Sequence, residues 1–187
     1  ITNQRIYQYQ SDSRDLKEYP LSSISDISQG ANALYTFEID REDRIWLATM
    51  EGLYFENGQQ AGFQQLNWQD QSQLVRAVAE DPYGFIWVGT ESEGVFVLDT
   101  EGQEVAQLNE ENGKLVSNFV TEILVDQNEN VWIGQFRGGL HKFSMRRDPT
   151  GKPISFASNH FGRKELGNVD IEDIFQDQTK GISTQTG

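Results

Sequence analysis

One motif recurs along this chain and constrains its fold more than any other feature. In three places an aspartate is followed six residues later by a tryptophan, and the tryptophan is followed by one apolar and one small residue, as in the segment 123–134 (ILVDQNENVWIG). Six or seven residues after each tryptophan, a glycine opens another apolar run. The members of the three copies are Asp40, Trp46 and Gly52; Asp81, Trp87 and Gly94; and Asp126, Trp132 and Gly139. Spacing of about 40 to 45 residues is typical of a repeated structural unit.

The apolar positions within each copy predict short strands. Residues six and three before each aspartate are apolar, and so are both neighbours of each tryptophan. Apolar residues on either side of the tryptophan predict a strand that is covered on both faces. We predict a first strand that ends near the aspartate, a turn of about four residues in which the aspartate accepts backbone hydrogen bonds, a second strand with the tryptophan and a third after the glycine. A weaker fourth strand is predicted within 62–66, 104–108 and 154–157, and no pattern predicts a helix.

Four antiparallel strands per unit favour an all-β fold, namely part of a β-propeller with about four blades of four antiparallel strands. A small sheet that is apolar on both faces buries them by stacking on its neighbours, with the tryptophan as the bulky residue between blades. A solenoid of β units is the alternative. The predicted units are 31–70, 71–110, 111–160 and an incomplete 161–187, in which Ser183 stands in place of the tryptophan. Residues 1–30 are predicted to carry an outer strand of a neighbouring blade at 5–10, followed mostly by loop over 11–30.

Composition excludes several classes of function. The formal net charge of −14 and the pI of about 4.4 argue against nucleic-acid binding, which needs clustered basic residues. Cysteine is absent, which excludes thiol chemistry and cysteine zinc sites. No stretch approaches the roughly 20 apolar residues of a membrane-spanning helix.

The copies resemble the two-component regulator propeller repeat. The match is good over 75–97, where Asp81, Gly84, Trp87, Gly89 and Gly94 stand in place, and over 120–143. The copies depart from the pattern at Asp43, Ala48, Glu129 and Gln135. The resemblance extends from about residue 33 to residue 187.

What the resemblance implies is a sensor. Repeats of this family build extracytoplasmic, periplasmic sensor domains of bacterial membrane proteins, followed by a transmembrane helix and a histidine kinase or diguanylate cyclase output. Small ligands, often carbohydrate fragments, are the implied partners. We therefore expect a non-catalytic fragment of such a domain, joined to the membrane only through parts of the protein outside this chain.

A ligand site is predicted in the turns between the second and third strands, because these turns vary while their flanks stay constant. The candidates are Met50, Glu91, Phe136 and Arg137. An aromatic ring beside a guanidinium suits a sugar or a carboxylate through stacking and forked hydrogen bonds. Solvated turn residues are the alternative interpretation.

The residue pattern gives little support to catalysis or to metal binding. His141 falls in the column of Tyr54 and Phe96 and is interpreted as a blade aromatic, and His160 as a surface-loop residue. Residues 126–130 resemble the start of a calcium loop, but the glycine and the closing glutamate that such a loop needs are missing. The sequence predicts no cofactor and no metal site.

Two further functional classes stay open at this stage. One is a protein-binding or dimerisation scaffold, since a propeller fragment leaves sheet faces and strand edges that a second copy can cover, as a dimer or a completed ring. The other is a propeller enzyme such as a lyase or glycosidase.

Overall fold

The structure is a computed structural model that describes residues 5–10, 15–20, 34–56, 62–67, 73–149, 153–177 and 181–186. Within these residues the chain forms five antiparallel sheets, three with four strands and two with two. The only helix in the described ranges is one four-residue turn of helix, α1 (Arg163–Leu166). The predicted all-β propeller fold is confirmed.

The three complete sheets are meanders in which consecutive strands are hydrogen-bonded neighbours. Blade 1 contains β3 (Leu34–Ile39), β4 (Ile45–Thr49), β5 (Gly52–Glu56) and β6 (Gln64–Gln65). Blade 2 contains β7 (Val75–Glu80), β8 (Ile86–Thr90), β9 (Val95–Leu98) and β10 (Glu104–Leu108). Blade 3 contains β11 (Val120–Val125), β12 (Val131–Gln135), β13 (Gly139–Arg147) and β14 (Pro153–Phe161).

Two-stranded sheets lie on either side of the three blades. The N-terminal hairpin pairs β1 (Arg5–Gln10) with β2 (Asp15–Pro20), and the C-terminal half-blade pairs β15 (Ile171–Gln176) with β16 (Ile182–Thr186). Ile6 of the hairpin is buried against Ile45 and Leu47 of blade 1. The C-terminal half-blade packs on blade 3 through Ile171 and Ile174.

The sheets pack face to face around an axis. The first strand of each blade contacts the first strand of the next, β3 with β7, β7 with β11 and β11 with β15, so these strands are innermost. The core is divided into apolar layers between successive sheets. Trp46 lies in the layer between blades 1 and 2, and Trp87 in the layer between blades 2 and 3. Trp132 packs at the layer between blade 3 and the C-terminal half-blade. The three tryptophans are therefore equivalent wedges, as the repeat predicts.

Several local predictions were wrong. Residues 15–20, predicted as loop, form β2, because they pair along their whole length with β1. His160, predicted in a surface loop, lies in β14 opposite His141. The fourth strand of blade 3 is longer than predicted, since β13 continues to Arg147 and offers β14 a long partner. The predicted loop residues 11–14 and 21–30 lie outside the described residues.

Candidate functional site

The repeated aspartates lock the turn between the first and second strands. In blade 2, Asp81 Oδ1 accepts the backbone N–H groups of Tyr83 and Phe85 at 2.9 and 3.1 Å, and Oδ2 accepts the indole N–H of Trp87 at 3.1 Å. The indoles of Trp46 and Trp132 donate in the same way to Asp40 and Asp126, at 2.7 and 2.8 Å. Each aspartate thus links its turn to the tryptophan of the same blade by hydrogen bonds.

The same geometry explains why residues 126–130 form a blade turn. Asp126 Oδ1 accepts the backbone N–H groups of Asn128 and Asn130, and Oδ2 accepts from the Trp132 indole and the Asn130 amide. Burial opposes ionisation of Asp126, but these hydrogen bonds outweigh it, and its pKa lies below the ordinary value. The carboxylate is therefore saturated by donors of its own blade.

The turns between the second and third strands lie at the opposite end of the blades, because the strands are antiparallel. In blades 1 and 2 the hydroxyl groups of Thr49 and Thr90 donate to the carbonyls of Gly52 and Gly94 at 2.8 and 2.9 Å. Blade 3 has Gln135 at this position, and its amide donates instead to the Ser117 carbonyl. The turn between the second and third strands of blade 3 therefore has a different hydrogen-bond pattern from the equivalent turns of blades 1 and 2.

Aromatic and arginine side chains from three blades come together at this end, in a group that we name the mouth cluster: Tyr35, Arg76, Glu91, Phe119, Phe136 and Arg137. The Arg76 guanidinium lies 4.7 Å from both the Tyr35 and the Phe119 ring centroids. Its Nε is 3.3 Å from the Glu91 carboxylate. Arg76 therefore links blade 1 to the start of blade 3.

Phe136 and Arg137 form the exposed end of the mouth cluster. The Phe136 ring is 5.2 Å from Phe119 between centroids, and the Arg137 guanidinium is 5.0 Å from the Phe136 centroid. Arg137 has φ of 59° and its backbone N–H donates to Asp170 Oδ1 at 2.9 Å. No described acidic group pairs with its guanidinium within 4.0 Å, whereas Arg76 is already held by Glu91. A half-exposed ring beside an unpaired guanidinium can stack on a ligand and bind its oxygens.

The structure places the predicted site residues unequally. Phe136 and Arg137 are in contact, and Glu91 joins them through Arg76 and Phe119. Met50 is exposed in the turn after β4, and the described contacts do not join it to the cluster. Tyr35, Arg76 and Phe119 were missed. Tyr35 and Arg76 share the repeat column five residues before the aspartate, and that column was the signal that could have found them.

The two histidines stack on each other beneath the third turn. Their ring centroids are 4.4 Å apart, and the His160 Nε2 lies 2.7 Å from the Gly138 carbonyl oxygen. Burial, helped by the neighbouring His160, lowers the pKa of His141 to about 4. His141 is therefore neutral at neutral pH and also stacks on Phe143, which agrees with its interpretation as a blade aromatic.

Two carboxyl groups on the inner strands, those of Glu38 and Glu122, lie in surroundings that disfavour the charged form. Burial and the nearby Glu80 raise the pKa of Glu38 to about 7. Burial, with Asp173 and Glu38 as like charges, raises the pKa of Glu122 to about 7. The axis of the propeller is thus lined by acids that are partly protonated near neutral pH.

Comparison with known families gives the repeat its name. Residues 70–92 match the family model described as two component regulator propeller. This segment of the chain is similar to a two component regulator propeller repeat. The match covers the second copy of the motif, with Asp81 and Trp87 in it, and the structure shows that the copies in blades 1 and 3 repeat the same aspartate–indole hydrogen bond.

Solved structures with this architecture include extracellular domains of two component systems. One is the extracellular domain of BT3049 from B. thetaiotaomicron, named as a hybrid two component system, with 27% identity and a TM-score of 0.65 over 83% of this chain and 20% of that one. Another is the extracellular domain of BT4673 from the same organism, with 20% identity and a TM-score of 0.67 over 97% of this chain and 24% of that one. This chain thus spans about a fifth to a quarter of the length of those structures.

The fold is also shared by an enzyme. Virginiamycin B lyase from Staphylococcus aureus has 11% identity and a TM-score of 0.63 over 96% of this chain and 55% of that one, a likeness of fold alone. No curated protein sequence matches the chain. Among the described residues, no helix has the length and apolar character needed to cross a membrane.

Proposed function

We propose that this chain is part of an extracytoplasmic, periplasmic sensor domain of a membrane-anchored bacterial signalling protein, without catalytic activity of its own. The repeat match and the likeness to extracellular domains of two component systems support this class. In this proposal, ligand binding at the propeller is passed to an output domain elsewhere in the protein.

The mouth cluster is the proposed ligand site. The single observation that carries it is the half-exposed Phe136 ring under the unpaired Arg137 guanidinium, at a turn built differently from its two counterparts. The ligand class is a small molecule with a flat apolar face and oxygens that accept hydrogen bonds, and carbohydrates with a carboxylate fit this description.

The test is titration of the protein with neutral and carboxylated mono- and disaccharides, followed by calorimetry and thermal unfolding. We expect at least one carboxylated sugar to raise the melting temperature, and Arg137→Ala to abolish the shift. Arg146→Ala is the matched control, because Arg146 is exposed on β13 away from this turn. A shift that survives Arg137→Ala, or no shift with any carboxylated sugar, contradicts the site.

Self-association is a second candidate function, and one observation favours it. Tyr7, Tyr9 and Leu16 stand on the face of the N-terminal hairpin that blade 1 does not cover, with 53%, 63% and 61% of their surfaces exposed. Such a concentrated apolar face is typical of an interface. We propose that a second copy covers it. Light scattering after size-exclusion chromatography should show a dimer that the double substitution Tyr9→Ser, Leu16→Ser converts to monomer; a monomer at every concentration contradicts this.

A further inference from the structure

A polar cavity of about 200 Å³ opens between blades 2 and 3, at the end of the propeller opposite the mouth cluster. It lies between the turn that follows β7, the turn that follows β11, and the outer half of β13. We name it the turn cavity, and its lining includes Tyr83, Asn128, Glu129, Ser144, Met145 and Arg147. Its volume corresponds to that of roughly six or seven water molecules.

Comparison of the three seams between successive sheets shows why the cavity is there. At the seam between blades 1 and 2, Arg41 follows the turn aspartate, and its backbone N–H donates to Glu80 Oε2 at 3.0 Å. At the seam between blade 3 and the C-terminal half-blade, Gln127 stands in that position and its N–H donates to Gln176 Oε1 at 3.2 Å. A backbone hydrogen bond to the next sheet therefore closes both of these seams.

The seam between blades 2 and 3 lacks this bridge. The corresponding residue in blade 2 is Pro82, which has no N–H to donate. Its counterpart across the seam is Val125, whose side chain cannot accept a hydrogen bond. The seam is joined instead further out, where Arg147 Nη2 lies 2.6 Å from Asp81 Oδ2 and the Tyr83 hydroxyl donates to Glu129 Oε2 at 3.0 Å. The turn cavity is the space left between these outer contacts.

The charges around the cavity do not cancel. Arg147 is neutralised by Asp81, with which it forms a close ion pair, and its guanidinium also covers the Tyr83 ring at 3.9 Å. Glu129 accepts the Tyr83 hydroxyl, and no described cation lies within 4.0 Å of its carboxylate. The Asn130 amide is spent on Asp126, while Asn130 Oδ1 accepts from the Ser144 hydroxyl. One exposed carboxylate, with no described cation within 4.0 Å, and several acceptor oxygens therefore line the same small space.

The turn after β11 places the Glu129 side chain at the cavity. Glu129 has φ of 62°, a left-handed conformation that is unfavourable for residues with a Cβ atom. Blade 2 has Gly84 at the equivalent position, with φ of 87°. Asp43 of blade 1 has the same conformation, with φ of 59°, so this turn position accepts a residue with a Cβ atom. Of these three residues, Glu129 is the one that lines the turn cavity.

We propose that the turn cavity binds a small molecule through a primary ammonium group, which donates to Glu129 and to the neighbouring acceptor oxygens of Asn128 and Ser144. An ammonium group matches the three needs of the site: it is compact, it carries the missing positive charge and it donates three hydrogen bonds. This site is independent of the mouth cluster, and its test does not depend on the ligand proposed there.

The experiment compares ethanolamine with ethylene glycol, which differ in an ammonium group against a hydroxyl group at nearly equal size. Both are titrated into the protein at physiological salt while backbone amide resonances are recorded by NMR. We expect ethanolamine to shift the amides of the turns after β7 and β11 in a saturable way, with ethylene glycol at least about tenfold weaker. Equal binding of the two compounds, or no saturable shift with ethanolamine, overturns the proposal.

Three variants separate this site from general attraction to an acidic protein. Glu129→Gln keeps the shape of the side chain and should weaken ethanolamine binding by about tenfold or more. Tyr83→Phe removes the hydroxyl that Glu129 now accepts, and binding should persist or tighten. Asp43→Asn is the matched control, because Asp43 occupies the same turn position in blade 1 with φ of 59°, away from the cavity. Equal losses in the Glu129 and Asp43 variants contradict a specific site.

Discussion

At the scale of single residues, the aspartate of each repeat accepts hydrogen bonds both from the backbone of its turn and from side chains, and experiment can separate the two contributions. Asp99, in the turn after β9, accepts the backbone N–H groups of Glu101 and Gln103, both at 2.9 Å, but no indole. Asp81 accepts the equivalent turn amides and, in addition, the Trp87 indole and the Arg147 guanidinium. The two residues therefore form a pair with and without the contacts to the indole and the guanidinium.

Asparagine at these two positions should have unequal effects. Asp81→Asn keeps one oxygen for the turn but directs an amide N–H at two donors, so we expect the free energy of unfolding to fall by about 2–4 kcal/mol. Asp99→Asn should cost less than about 1 kcal/mol, because the turn amides keep their acceptor. Urea unfolding followed by tryptophan fluorescence measures both. Similar losses in the two variants would show that the indole and guanidinium contacts together contribute little.

At the scale of the strand, the small residue two positions after each tryptophan sets how closely sheets approach. A Cβ atom on Gly89 would lie 2.6 Å from Val120 Cγ1 of the next blade. Gly134 meets Ile171 in the same way, at 2.7 Å. Blade 1 has Ala48 in this column, fully buried in the layer against blade 2. The seams between sheets thus accommodate either glycine or alanine at this position.

Gly89→Ala should therefore destabilise the seam between blades 2 and 3. We expect a loss of about 1–3 kcal/mol from overpacking. Val120→Ala makes room for the added methyl group, so the double variant should lose less than the sum of the single ones. Ala48→Gly, with a loss of about 0.5–1 kcal/mol, is the control for glycine alone. Additive losses in the double variant would place the strain somewhere other than this contact.

At the scale of the whole molecule, the acids along the axis make stability depend on pH. The pKa values of Glu38 and Glu122, about 7 in the folded protein, lie above the ordinary 4.5, so the folded state holds protons that the unfolded chain has released. Their contribution to stability is present in full below about 4.5 and is lost as the pH rises through about 7. These two groups therefore favour the folded state in mild acid.

Removing the two charges should flatten this dependence. Glu38→Gln and Glu122→Gln each imitate the protonated form, and we expect each to raise the free energy of unfolding at about pH 8 by on the order of 1 kcal/mol, with little change at about pH 5. Glu111→Gln, at an exposed turn, is the control. Unfolding curves at the two pH values measure the effect, and an unchanged difference between them would mean that neither carboxyl group is protonated on folding.

The part of the fold that the sequence predicts is the part that repeats. Asp126, Trp132 and Gly139 fix a turn, a wedge and the start of a strand within one short segment, and three copies of that segment are enough to predict blades. β2 escaped prediction because its alternation is mostly polar, and its strand character comes from pairing with β1. Prediction thus succeeded where the determinants are local.

The same distinction applies to the candidate sites. Phe136 and Arg137 are neighbours in the chain, so their contact could be predicted. Arg76 between Tyr35 and Phe119, or Arg147 beside Asp81, unites residues from different blades. Such contacts depend on the angle and distance between sheets, which no single repeat encodes. The turn cavity was missed for this reason, although Pro82 in the place of Arg41 and Gln127 marks it in retrospect.

The aspartate–indole hydrogen bond has a consequence for how such a chain can grow. The bond is made within one sheet, so a duplicated segment contains both partners of its own aspartate–tryptophan hydrogen bond. The neighbouring sheets need to supply only an apolar face. A duplicated copy can therefore form its turn and its tryptophan contact without new partners, while the residues at the junctions between copies can change. At one junction Pro82 replaces the residue whose N–H joins the sheets elsewhere, and the turn cavity lies at that junction, so the site that we propose there would lie between copies without altering the copies themselves.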